Sequence, residues 1–234
     1  HASFLLYNSR QLFAMWNHEY VGKNYAADVG FVPRIENYDA VSDKVRYFSY
    51  WRFEPEISYK FYPKSRFINQ HGPEIYYSIY LDSAFQTTES FTKAGYLVKF
   101  ANSSEVSLEL HKHFTKLFFP ADILQTGGNP LPAEHYHFNM IRVNLLSNQR
   151  RKINARISGR YGGFYNGYFT ASDGDIYFRI QPWGILGLNY SIDDIHLPAP
   201  YSNATLVLLG PSMELSFTKS LFFSTFIQYN TQAD

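Results

Sequence analysis

The residues best suited to chemistry are four histidines in two i, i+2 pairs, His111-Lys112-His113 and His135-Tyr136-His137, with Glu109 and Glu134 beside them. Alternate residues of a strand share a face, so each pair points two imidazoles one way, and neutral imidazoles with a carboxylate suit Zn²⁺ or a similar ion. Tight coordination needs near-tetrahedral ligands at Zn–N distances of about 2.0–2.1 Å. Two strand-borne pairs joined by a long loop give flat rows of unknown register instead. His111, His113, His135 and His137 are therefore expected to hold a divalent metal weakly or not at all, and a polar surface that tolerates histidine accounts for them as simply.

Other catalytic patterns are missing. The chain has no G-x-S-x-G elbow, H-E-x-x-H helix, P-loop, or G-x-G-x-x-G after a strand. Gly127-Gly128 and Gly162-Gly163 read as loop and turn glycines. With no Cys there are no disulfides, thiolate ligands or thiol nucleophiles. We expect a non-enzyme without cofactors. A net charge of +1 gives no broad basic surface for nucleic acid.

The elements that would carry these side chains are strands. From Lys44 to Phe61 one series reads Val45, Tyr47, Trp51, Phe53, Ile57, Tyr59 and Phe61, while the other reads Lys44, Arg46, Arg52, Glu54, Glu56 and Lys60. One face is apolar and the other charged, over a length beyond the ~5–6 residues usual for soluble strands. Pro55 cannot donate to a ladder, so a bulge or interruption is expected there. The period recurs at Val106–Phe114, Ile153–Tyr161, Asp175–Gln181 and Met213–Phe217. Val45, Trp51, Leu108, Leu110 and Ile157 fall in the apolar series. Arg46, Arg52, Glu54, Lys60, Arg156, Arg160 and Arg179 fall in the charged one.

Connections alternate in length. Short turn signals lie at Asn8–Gln11, Tyr62–Arg66, Ala101–Ser104, Ser147–Lys152, Gln181–Gly184 and Phe217–Leu221. Between them run longer segments at Gly22–Asp43, Asp82–Glu89, Pro120–Glu134, Gly162–Asp173 and Asp193–Asn203. Short turns at one rim and long loops at the other mark outer-membrane barrels. Phe61, Tyr62, Phe67, Phe100, Trp183, Phe217, Phe222 and Phe223 crowd the short turns, where an interfacial girdle of aromatic rings would sit. No apolar run is long enough for a membrane helix, and a chain with 20 Tyr and 21 Phe keeps a modest average hydropathy when lipid-facing and lumen-facing residues alternate. Both ends stop on strand patterns.

Two stretches carry a resemblance to a family. Asn24-Tyr-Ala-Ala-Asp-Val-Gly-Phe-Val-Pro-Arg34 resembles a loop signature, and Phe226-Ile-Gln-Tyr-Asn-Thr-Gln232 a late strand, of outer-membrane proteins in which a carbohydrate-binding family-nine-like domain precedes a large β-barrel. The resemblance covers nearly the whole chain. It implies that residues 1–234 are part of that barrel domain, with the upstream domain and the closing strands outside it, and it transfers no catalytic residue.

The reading is an all-β chain forming a transmembrane, antiparallel, up-and-down β-barrel of roughly twelve strands, part of a larger barrel. Val45, Trp51, Leu108, Leu110 and Ile157 would face outer-membrane lipid, and the seven charged positions would face the lumen. The expected role is a pore, or the anchor and scaffold of an envelope assembly with other envelope proteins as partners. Two alternatives have distinct geometries: a soluble all-β ligand- or carbohydrate-binding module would turn its apolar residues inward, and a rim-located outer-membrane hydrolase would need catalytic residues at one rim.

Overall fold

Alternating apolar and polar residues with short turn sequences between them dictate hairpins, and hairpins account for nearly all of the structure. The computed structural model describes residues 1–26, 32, 34–39 and 42–231. Its strands are β1 (Ala2–Asn8), β2 (Leu12–Val21), β3 (Glu36–Asp39), β4 (Lys44–Tyr47), β5 (Tyr50–Tyr59), β6 (Ile68–Leu81), β7 (Thr87–Phe100) and β8 (Glu105–Lys116). They continue as β9 (His135–Leu146), β10 (Ile153–Phe164), β11 (Gly167–Ile180), β12 (Gly184–His196), β13 (Ala204–Ser216), β14 (Phe222–Phe226) and β15 (Tyr229–Asn230). The described residues contain no helix.

All but β3 and β4 form a 13-stranded antiparallel sheet in which sequential strands are neighbours. It is an up-and-down meander with β1 and β14 at its open edges. β14 and β15 both pair with β13 in one continuous register, Ser212 opposite Phe226 and Leu209 opposite Tyr229, so they are two pieces of one edge strand. Local side-chain caps close the short turns: Asn102 Oδ1 accepts from the Ser104 amide, Asn148 Oδ1 from the Arg150 amide, and Thr218 Oγ1 from the Leu221 amide.

Stagger accumulates in one direction. Following paired residues from Tyr7 leads through Ala14, Ile57, Ile75, Ala94, Leu110, Ile141, Tyr161, Thr170 and Asp194 to Thr205. The row begins one residue before the end of β1, at the short-turn rim, and finishes at the second residue of β13, just past a long loop. A line perpendicular to the strands thus crosses the sheet from one rim to the other, which is the stagger that tilted strands produce.

The two faces differ sharply. One carries Leu110 (55% exposed), Ile75 (52%), Leu108 (50%) and Ile141 (47%), together with Ile57, Tyr96, Val143, Leu145 and Ile176, all exposed. The other carries most of the charges and is partly roofed. The β3–β4 hairpin docks through Ile35, 3% exposed, against Tyr50 and Tyr80. Nearby, Leu124 and Tyr201 from two long loops pack on Phe169, Ala171 and Ile195 of β11 and β12. These loops are tied by Asn129 Nδ2 donating to the Pro200 carbonyl at 2.9 Å. The buried apolar clusters therefore lie at the long-loop rim of the polar face.

Several sequence expectations change. Lys44–Phe61 is not one strand: Lys44–Tyr47 leaves the main sheet and pairs with Glu36–Asp39, and the chain re-enters at Tyr50. Gly162–Asp173 is not a long loop, because β10 and β11 are joined across Tyr165-Asn166 alone. The glycines there mark close approach: a Cβ on Gly162 would lie 2.4 Å from Met140 Cα. Strands likewise extend into two other expected loops, which shrink to residues 82–86 and 197–203, and the turn after β5 widens to residues 60–67. At Pro55 the β5–β6 pairing lapses between Phe53 and Glu56 and resumes in the same register. Residues 27–31 and 33 of the family-like 24–34 stretch, and Gln232 of the later one, lie outside the described residues.

Candidate functional site

The polar face is built from side chains that antiparallel pairing places in rows, and most of its charges satisfy one another. On β5, Arg52 reaches Glu54 of the same strand and Glu19 of β2, the latter at 3.6 Å. Glu54, 6% exposed, also accepts from Asn17 Nδ2 at 2.8 Å and from the Tyr76 hydroxyl. Lys93 meets Glu74 at 2.8 Å, and Lys99 pairs with Glu105. Further along, Glu109 accepts from Asn144 Nδ2 at 2.8 Å and lies 2.8 Å from His111 Nε2, while Arg142 Nε donates to Asn144 and Ser158, both at 2.9 Å. Arg160 spans Asp173 (3.3 Å) and Asp193 (3.2 Å). Opposite charges stand across ladder neighbours, the arrangement that stabilises paired strands.

Of the charged positions singled out in the sequence, Arg52, Glu54, Arg156, Arg160 and Arg179 share this face by pairing parity. Arg156 borders a cavity of about 240 Å³ with Ser107, Arg142, Asn144 and Asp173. Arg179 borders another beside Glu214. Lys60 lies just past β5, where its amide donates to Gln11. Arg46 is a correction: it sits in the hairpin, 3.6 Å from Asp39, and not on the sheet. Val45 moves with it. Leu108 and Leu110 are exposed on the apolar face, Ile157 is half-buried there, and Trp51 stacks between Tyr20, Phe53 and Phe85 at its long-loop edge.

The four histidines do not converge. In the β8–β9 register His111 opposes Met140 and His113 opposes Phe138, whereas His137 opposes Phe114 and His135 opposes Lys116. One pair is on the polar face and the other on the apolar face. His113 instead stacks on Phe138 at 4.8 Å. Among the described residues no group of three His, Asp or Glu side chains could hold a metal ion.

Under the hairpin lies a cavity of about 580 Å³ lined by Arg34, Tyr38, Phe48, Tyr50, Tyr80, Glu89, Lys116 and Phe118. Arg34 forks onto Glu89 at 2.6 and 2.9 Å and lies over the Tyr80 ring at 4.1 Å. Burial works against its charge, yet Glu89, with Tyr80 and Tyr50 beside it, holds the guanidinium above its ordinary pKa. Phe48 packs on Phe118 at 4.9 Å, joining the hairpin to the β8–β9 loop. At the same rim, burial pushes the Tyr165 phenol up. Sequence reasoning missed this roof, although Tyr50 and Tyr80 are aromatic rings in otherwise polar series.

Hydroxyl, imidazole and carboxylate meet around Glu109, with Ser107 and His111, and around Asp194, both times in the wrong order for nucleophilic catalysis. Thr205 Oγ1 donates to Asp194 at 2.8 Å, and His196 contacts the other oxygen of that carboxylate at 2.8 Å. A relay requires the hydroxyl on the imidazole. The chain matches no protein-family model, no curated protein and no solved structure.

Proposed function

We propose that this sheet is the wall of an outer-membrane β-barrel, with its apolar face on lipid and its polar face toward the lumen. In this reading it serves as the membrane anchor and scaffold of an envelope assembly, and any pore it lines discriminates weakly by charge. The observation that carries the reading is the band of exposed Ile, Leu, Val and Tyr, with at least one on every strand from β5 to β12. Soluble proteins rarely expose contiguous apolar patches beyond a few hundred Å², whereas a membrane wall requires one. Stagger of tilted strands and opposite-charge pairing on the other face support the same arrangement, as does the outward ring stack of Tyr20, Trp51, Phe53 and Phe85. Scaffold duty is favoured over ion selection because Arg52, Lys93, Lys99 and Arg160 on the polar face are each paired with neighbouring carboxylates. The proposal extends to the family that the 24–34 and 226–232 stretches resemble, in which further strands would pair with the free edges.

Tryptophan placement provides the test. Trp16 and Trp51 lie on the apolar face and Trp183 in a short turn. Folding the chain into vesicles whose phospholipids carry brominated acyl chains is expected to quench Trp16 and Trp51. Emission unchanged from that in unbrominated vesicles would contradict the proposal.

A further inference from the structure

The six short connections, residues 9–11, 60–67, 101–104, 147–152, 181–183 and 217–221, share one rim, and their charge is entirely of one sign. They hold Arg10, Lys60, Lys64, Arg66, Arg150, Arg151, Lys152 and Lys219 and no Asp or Glu. Seven of the eight are exposed and Lys60 is half-buried. None makes an ion pair among the described residues, in contrast to Arg52, Lys93, Lys99 and Arg160 of the polar face. Glu105, at the first residue of β8, is engaged by Lys99. The opposite rim mixes signs, with Asp82, Asp122 and Glu134 near Lys23 and Lys116.

Aromatic rings occupy the same rim. Phe61, Phe67, Trp183, Phe217 and Phe222 are exposed there. Arg10 sits over the Tyr62 ring at 4.8 Å and Arg66 over Phe67 at 4.5 Å. Rings prefer the headgroup level of a bilayer, and a cation beside them lies at the depth of lipid phosphates. We infer that the short-turn rim binds anionic phospholipid headgroups, so that this rim selects a negatively charged leaflet. The inference rests on the membrane reading proposed above. It adds a partner of stated chemistry at one rim.

Each Lys or Arg near an anionic membrane surface strengthens binding by about fivefold at low salt, and screening removes most of that gain near 0.5 M salt. The full chain is presented to vesicles of phosphatidylcholine alone and to vesicles that also carry a minority of phosphatidylglycerol, with association read by flotation and insertion by tryptophan emission. The expected result is insertion into both, with association to the anionic vesicles tighter by on the order of a hundredfold at low salt. That advantage is expected to fall toward unity at high salt and in a variant combining Arg66→Gln, Arg150→Gln, Arg151→Gln and Lys152→Gln. Lys44→Gln with Arg46→Gln, on the β3–β4 hairpin, is expected to leave it unchanged. If the wild-type chain inserts equally into both vesicles without salt dependence, the rim inference is wrong and the membrane reading stands. Salt-sensitive adhesion without insertion would overturn both, and so would association with neither vesicle. If the quadruple variant loses insertion even into phosphatidylcholine, the salt dependence of the wild type decides.

Discussion

Glu54 of the polar face accepts from Arg52, Asn17 and Tyr76 while almost fully buried. Removing a buried acceptor strands its donors, at a cost of about 1–3 kcal/mol, so Glu54→Ala is expected to lower stability by that amount in a denaturant titration in detergent. Glu56→Ala is the control. It removes a half-buried carboxylate of the same strand and face and is expected to change little. Equal losses would mean that the Glu54 contacts contribute nothing particular. The histidines lead to a second expectation. Because their pairs occupy opposite faces, His111→Ala and His137→Ala are not expected to affect a common Zn²⁺ site in calorimetry, and tight binding abolished by either substitution would contradict the β8–β9 register. At this scale the sequence was partly readable. Arg52, Glu54 and Arg160 show their shared face through two-residue alternation, but which faces the two histidine pairs take depends on register across residues 117–134. A loop of that length does not fix parity.

The β3–β4 hairpin shows where reading elements from periodicity failed. Lys44–Tyr47 continues the alternation of Tyr50–Tyr59 without a visible break, since Phe48 and Ser49 carry no Gly or Pro to mark a turn. What separates them is tertiary: Ile35 and Phe48 find apolar partners beneath the loops, drawing β4 out of line with β5. Ile35 holds the roof in place. Truncating a buried Ile to Ala costs about 2–5 kcal/mol, which here falls on docking of the hairpin more than on the sheet. Ile35→Ala is expected to speed tryptic cleavage after Lys44 and Arg46 while the strands stay protected; an unchanged cleavage rate would show that Ile35 does not hold the hairpin down. The stretches Val106–Phe114, Ile153–Tyr161 and Asp175–Gln181 were legible because each keeps one period beside a short turn signal. The β10–β11 turn was not, because Gly162 and Gly163 serve close packing against β9 and only resemble loop glycines.

At the scale of the whole molecule, the antiparallel meander followed from chain order and turn spacing, whereas the sense of its faces needed coordinates. Alternation alone is common to a soluble barrel and a membrane wall, and the proposal of a membrane wall rests on the exposure of the apolar series. Leu110, in the middle of β8, is more than half exposed. On a water-facing surface Leu110→Arg changes stability by no more than about 0.5 kcal/mol, but in hydrocarbon near the midplane it costs about 2–4 kcal/mol. We expect the larger loss in unfolding from vesicles, and a loss within the smaller range would place β8 outside the bilayer. The most direct measurement is a nitroxide scan along β8, from Glu105 to Lys116, in the vesicle-folded chain. Collisions with oxygen are expected to rise and fall with a period of two and to peak at Val106, Leu108 and Leu110, which are shielded from a water-soluble nickel chelate. Nickel accessibility at those same three positions, with oxygen favouring Ser107 and Glu109 instead, would contradict it.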